Sequence, residues 1–154
     1  MTYTINIYVY RSQLIFTGML DMYFEKYKGI GPGTYSKPIL SLPAQCSLNE
    51  ICDALLHSAK VLADNEALIY SENSANTIMQ MENLLFRNFK SVGIKAKKSD
   101  IQKESVLLKL CMTDSPCLCQ CIFDGRYMVI QKEIPLRPDT SVPEIASLIE
   151  EMVK

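Results

Sequence analysis

His57 and six cysteines are the residues of this 154-residue chain that chemistry would draw on first. His57 stands four residues after Asp53, a spacing that allows an Asp–His hydrogen bond along one helix face. A catalytic dyad also needs a nucleophile and an oxyanion donor, and the sequence supplies neither at a defined spacing. His57 is therefore expected as an exposed helix residue. Cys46 and Cys52 flank a helix start, while Cys111, Cys117, Cys119 and Cys121 fall in a strand-rich stretch. Cysteines two apart on a strand have Cα atoms about 6.5–7 Å apart, the long end of disulfide geometry. No C-x-x-C pair exists, the usual spacing of a tetrahedral zinc site. Six reduced thiols acting as small buried hydrophobes are expected, with no metal and no cofactor. No pair of carboxylates stands at a spacing that fixes a general acid and base, so the chain does not read as an enzyme.

Charge gives two further candidates. Arg87 to Lys109 holds seven basic residues against two acidic ones, with Lys95, Lys97, Lys98 and Lys103 at its centre. A basic stripe is the first requirement of a nucleic-acid binder. The interleaved aromatics, Phe86 and Phe89, belong to a helix stripe facing the core, so stacking platforms are lacking. A solvated connection is the simpler reading. On the acidic side, Asp64, Glu66 and Glu72 surround Tyr70, and an aromatic anchor ringed by charge is the composition of a binding hot spot.

The elements that must position these residues can be read from periodicity. Tyr3 to Tyr10 alternates as a strand. Ser12 to Lys28 is ambiguous, and the stripe containing Met19, Met22 and Tyr23 favours a helix over Met19–Lys28. Gly18 would cost about 1 kcal/mol inside such a helix. Gly29 to Gly33 is a loop, and Pro38 makes the following segment extended or an edge strand. Ser47 and Glu50 form a capping box that opens a helix with Ile51, Leu55 and Leu62 on one face. Asn65 to Ser71 reads as a break, and Ser74 as the start of a second helix with the stripe Ile78, Met81, Leu85 and Phe89. Gly93 takes its left-handed end. Ser99 to Gln102 suggests a short third helix, and Ser141 to Glu144 opens the last.

Between them, Val106 to Ile134 reads as a three-stranded meander. Asp124-Gly125 is a two-residue hairpin signal, and Thr113 to Pro116 a four-residue loop. These turns place Cys119 between Leu110 and Ile130, on a dry face shared with Leu108, Cys117, Cys121, Met128 and Ile134. Leu107, Lys109, Leu118, Tyr127 and Gln131 fall on a half-wet face. Tyr127 and Gln131 on that face offer a second candidate interface, with Tyr8 and Tyr10 if the first strand pairs there.

The whole is expected to be one α+β domain over residues 1–154. Its mostly antiparallel sheet unites the meander with the N-terminal strand, and helices pack on one face. Apolar residues make up 48% and charged residues 21%, ordinary globular usage. The formal net charge of −1 gives the whole molecule no footprint for nucleic acid or anionic lipid. The first residues carry neither the basic nor the apolar region of a signal peptide. No apolar run approaches the roughly 18 residues of a membrane span, so a cytoplasmic address is expected.

The segment Phe86–Ser99, together with Pro116-Cys117-Leu118-Cys119 and Gln131-Lys132-Glu133-Ile134-Pro135-Leu136, resembles small immunity proteins of bacterial contact-dependent growth inhibition systems. The likeness covers mainly the second half of the chain. It implies a cytoplasmic protein without catalysis that binds and blocks a cognate toxin C-terminal domain, often a nuclease, in a 1:1 complex. An inhibitor covering a basic nuclease cleft gains from carboxylates, which favours Asp64, Glu66, Tyr70 and Glu72 as the contact surface, with Tyr127 as the competitor. The alternative is a small nucleic-acid-associated or regulatory domain using the stripe Lys95–Lys103.

Overall fold

The computed structural model describes residues 2–21, 31–125 and 127–154. Among the described residues, seven strands and five α-helices form an α+β unit around one antiparallel sheet. In chain order they are β1 (Tyr3–Tyr10), β2 (Gln13–Leu20), β3 (Gly33–Thr34), β4 (Leu40–Pro43), α1 (Leu48–Asp64), α2 (Glu66–Ala75) and α3 (Ile78–Arg87). After a 3-10 turn over Asn88–Val92 come α4 (Lys98–Glu104), β5 (Val106–Met112), β6 (Cys117–Asp124), β7 (Tyr127–Pro135) and α5 (Val142–Val153). The strand order is β3-β2-β1-β5-β6-β7, with β4 also on the outer edge of β2.

The expected antiparallel sheet with its N-terminal strand is present, and its helices occupy both faces. Ile5, Ile7, Leu14, Phe16, Leu108, Leu110 and Leu118 pack against α1 and α5. Tyr8, Tyr10, Ile15, Leu107, Cys119 and Cys121 pack against Leu85, Phe86, Phe89 and Ile101. Tyr8 meets the rings of Phe86 and Phe89 edge-on, at 5.6 and 5.5 Å between centroids, a favoured aromatic geometry. The face expected to be half-wet is a second core.

That double burial explains the first correction. Met19 and Leu20, expected to open a helix, end β2; the rest of that expected helix, residues 22–28, lies outside the described residues. A strand covered on both faces loses its alternation and reads as a continuous apolar run, which periodicity cannot distinguish from a helix. The β1–β2 turn also carries no glycine. Arg11 and Ser12 both have positive φ, 45° and 64°, between the paired Tyr10 and Gln13, as a type I′ turn requires. Gly18 belongs to the strand because a Cβ there would lie 2.7 Å from Leu62 Cδ1. Its bare backbone lets α1 close on β2.

Helix starts follow the caps. Ser47 and Glu50 form the expected reciprocal box, and Ser141 accepts from the Glu144 amide. The break expected over Asn65–Ser71 is instead the start of α2, Ser74 lies inside that helix rather than opening the next, and α3 begins after Thr77, which forms its own box with Gln80. Gly93 is left-handed as expected, at φ 82°.

The meander forms, but in another register. Cys111 pairs with Cys117 and Lys109 with Cys119, so the loop is one residue longer than expected. A slip of one flips every side chain to the opposite face. Asp124 pairs with Tyr127, putting Gly125 rather than Asp124 inside the turn, and the β6–β7 register shifts again at a bulge between Gln120 and Cys121. Cys119 is buried as expected, yet its strand neighbours are Lys109 and Glu133 in place of Leu110 and Ile130. Met128 and Ile130, expected in the core, are exposed.

Candidate functional site

β7 ends the sheet, and no described strand pairs with its outer side. Seven of its nine residues, Tyr127 to Glu133, are exposed without interruption. Among them Tyr127 is 69% and Ile130 56% exposed, with Met128 and Val129 between. Sheet edges normally carry charge, proline or a cover that prevents pairing with other chains. The first half of β7 carries four large apolar residues instead.

This edge continues into a groove on the α3 side of the sheet. Met128 and Phe123 line one end of a cavity of about 280 Å³, and Ile78, at the start of α3, lines its wall. Ile78 was expected in the core stripe and is 85% exposed, with Met79 beside it also exposed. The reason is local: α3 starts beyond the sheet's cover, and its buried stripe begins only at Met81. The floor is polar. Thr17, Asn6 and Lys109 are successive cross-strand partners on β2, β1 and β5, so their side chains share one face. Asn6 is only 7% exposed, yet its Oδ1 accepts no hydrogen bond from a described residue. Glu82 on the wall is held by Lys98 Nζ at 3.2 Å and receives a hydrogen bond from Gln102. Burial, with the Glu82 carboxylate adding, pushes the Tyr8 phenol up and keeps it protonated. The arrangement can accept a partner's backbone along β7 and a polar group in the groove.

The acidic candidates lie elsewhere. Asp64 ends α1 and is ion-paired with Lys60 at 2.7 Å. Glu66 and Tyr70 are one turn apart on α2, and Tyr70 packs against the cluster of Leu20, Leu62 and Ile69. Glu72 sits about 120° around the helix from Glu66, with its Oε2 buried and accepting no hydrogen bond from a described residue. Asp64, Glu66 and Tyr70 thus share one end of the molecule, whereas Glu72 is partly withdrawn into the protein. Tyr127 belongs to the outermost strand, β7.

His57 is exposed on α1, over a shallow hollow that Asp53 also lines. Within the basic stripe, Lys98 is engaged by Glu82 and Asn83 and lies 5.9 Å from the Phe86 ring centroid. Phe86 and Phe89 are buried, which removes the stacking surface a single-stranded nucleic acid would need. All six cysteines are free thiols. Among the described residues no helix is long and apolar enough to cross a membrane. The free edge was missed because the expected register placed Met128 and Ile130 inside; the run of apolar residues after Gly125 was the available signal.

No protein-family model, curated protein or solved structure matches the chain.

Proposed function

We propose that this chain is a toxin-neutralising immunity protein. It binds the toxic domain of a contact-dependent growth inhibition system, of which a nuclease is the expected type, in a 1:1 complex in the cytoplasm. The observation that supports this reading is the apolar edge of β7, joined through Met128 to the groove beneath Ile78. An uncovered apolar patch of this kind marks a protein interaction site more often than a solvent surface. A strand of the toxin added to β7 supplies main-chain hydrogen bonds, and alternate side chains supply selectivity. The chain then acts by occlusion and needs no catalytic group of its own.

Asp64 and Glu66 have a different part in this reading. Carboxylates away from the contact raise the rate of encounter with a basic cleft more than they lengthen the life of the complex. Co-expression with the toxin domain encoded beside the gene separates the two surfaces. Ile130→Lys and Tyr127→Ala on β7 are expected to abolish protection and to speed dissociation at least tenfold. Asp64→Lys with Glu66→Lys should slow association, more at low salt than at high, and leave dissociation unchanged. Protection lost only in the acidic double variant would move the interface to the α1–α2 junction. A folded protein that binds no such toxin would remove the immunity reading.

A further inference from the structure

The altered register of the meander gathers groups that their spacing in the chain keeps apart. Cys117 and Cys119 point to the same face of β6, with their Sγ atoms 3.7 Å apart. The bulge between Gln120 and Cys121 shifts β7 by one residue, so Cys119 is paired with Glu133. Without the bulge Cys119 would face Lys132, one residue earlier. Bulges commonly re-aim a side chain in this way. The result is that one ligand atom each of Cys117, Cys119 and Glu133 lies within 4.8 Å of the other two. Cys111 stands directly opposite Cys117 on β5.

We propose that Cys117, Cys119 and Glu133 bind a thiophilic divalent cation, Zn²⁺ in the first instance, with the fourth position left to water, since Cys111 lies outside that set. The geometry is close to what the ion demands. Two sulfurs each about 2.3 Å from zinc at a tetrahedral angle lie about 3.8 Å apart. The observed separation of the Cys117 and Cys119 sulfurs matches without movement of the strands. A carboxylate completes such a set well, and all three donors stand on adjacent strands of one sheet, a rigid support for a metal. Lys109, the β5 partner of Cys119, places a cation beside a centre that two thiolates and a carboxylate would leave negative.

Binding has a stated proton balance. Each coordinating cysteine loses its thiol proton to solvent, so two protons leave as one Zn²⁺ enters. Affinity therefore rises with pH. The site lacks the C-x-x-C spacing by which zinc centres are usually recognised because its donors converge across strands.

The test is a Co²⁺ titration of the reduced, chelator-treated full chain, followed by Zn²⁺ competition against a chromophoric chelator. A thiolate-to-cobalt charge-transfer band is expected to saturate at one equivalent and to vanish when Zn²⁺ is added. Cys117→Ser is expected to weaken Zn²⁺ binding at least about a hundredfold, and Glu133→Gln about tenfold, consistent with losses seen when metal sites are disturbed. Both residues are less buried than Cys119, and far-ultraviolet circular dichroism should show both variants folded. Cys52→Ser, a thiol on α1, should bind as the wild type does. Absence of the band at one equivalent, or wild-type affinity in Cys117→Ser or Glu133→Gln, overturns the site.

Discussion

Gly18 sits where α1 comes closest to the sheet, and the measure of that closeness is the 2.7 Å between its missing Cβ and Leu62 Cδ1. Leu62 is fully buried, so it has little room to yield. Gly18→Ala should destabilise by about 1–3 kcal/mol, the usual cost of overpacking. Leu62→Ala should cost about 2–5 kcal/mol as a cavity. The double variant should cost less than the two together by at least about 0.5 kcal/mol, since each change makes room for the other; urea midpoints measure all three. A second residue-scale prediction concerns Arg11. From the β1–β2 turn it reaches Glu104 of α4 through two hydrogen bonds, Nε to Oε2 at 3.1 Å and Nη2 to Oε1 at 3.2 Å. The Arg11 guanidinium holds the Glu104 carboxyl below the ordinary carboxylate range. A carboxyl with a depressed folded-state pKa contributes stability above its unfolded pKa and loses it as pH falls through the folded value. The pair is exposed, so the effect is small and screened by salt. Wild type should exceed Glu104→Gln slightly in urea midpoint at pH 7, with the difference closing below about pH 4; a constant difference across that range removes the ion pair as its cause.

Helix starts are set by side chains three residues apart, which makes them the elements most open to reading. Ser47 donates its hydroxyl to Glu50 Oε1 and accepts from the Glu50 amide. Thr77 and Gln80 repeat the reciprocal backbone contacts at α3. Ser47→Ala, Thr77→Ala and Ser141→Ala are each expected to cost about 0.5–2 kcal/mol, and an unchanged thermal midpoint in all three would mean that the caps do not hold these helices. Local signals of this kind made α1, α5, β1 and the three meander strands legible in the chain. What was not legible depended on distant partners. The cover on both faces of β2 erased its alternation, and Arg11-Ser12 makes a tight turn without the glycine that announces one. One added residue in the β5–β6 loop moved Cys117, Cys119 and Cys121 to the other face, and the bulge then turned Glu133 toward them. The free edge and the cysteine cluster both follow from those two shifts in register, which hydrophobic pattern alone does not encode once both faces are buried.

At the scale of the molecule, the sheet consists of an N-terminal block, β1 to β4, and the C-terminal meander, joined along a single ladder between β1 and β5. Its pairs, from Tyr3 with Met112 to Val9 with Val106, join segments separated by most of the chain's length. A chain ending before Val106 would leave one side of β1 without its partner, and such a truncation is expected to sediment as aggregate on expression while the full chain stays in the supernatant. Equal recovery of the two would mean that the N-terminal block closes its own edge. The same ladder sets a clock during synthesis. Translation adds roughly 5–20 residues per second, so β1 emerges from the ribosome on the order of 5–20 seconds before the strand it must pair with. Through that interval an apolar strand waits with its hydrogen-bonding groups open, and the nascent chain is then a natural client for a holding chaperone.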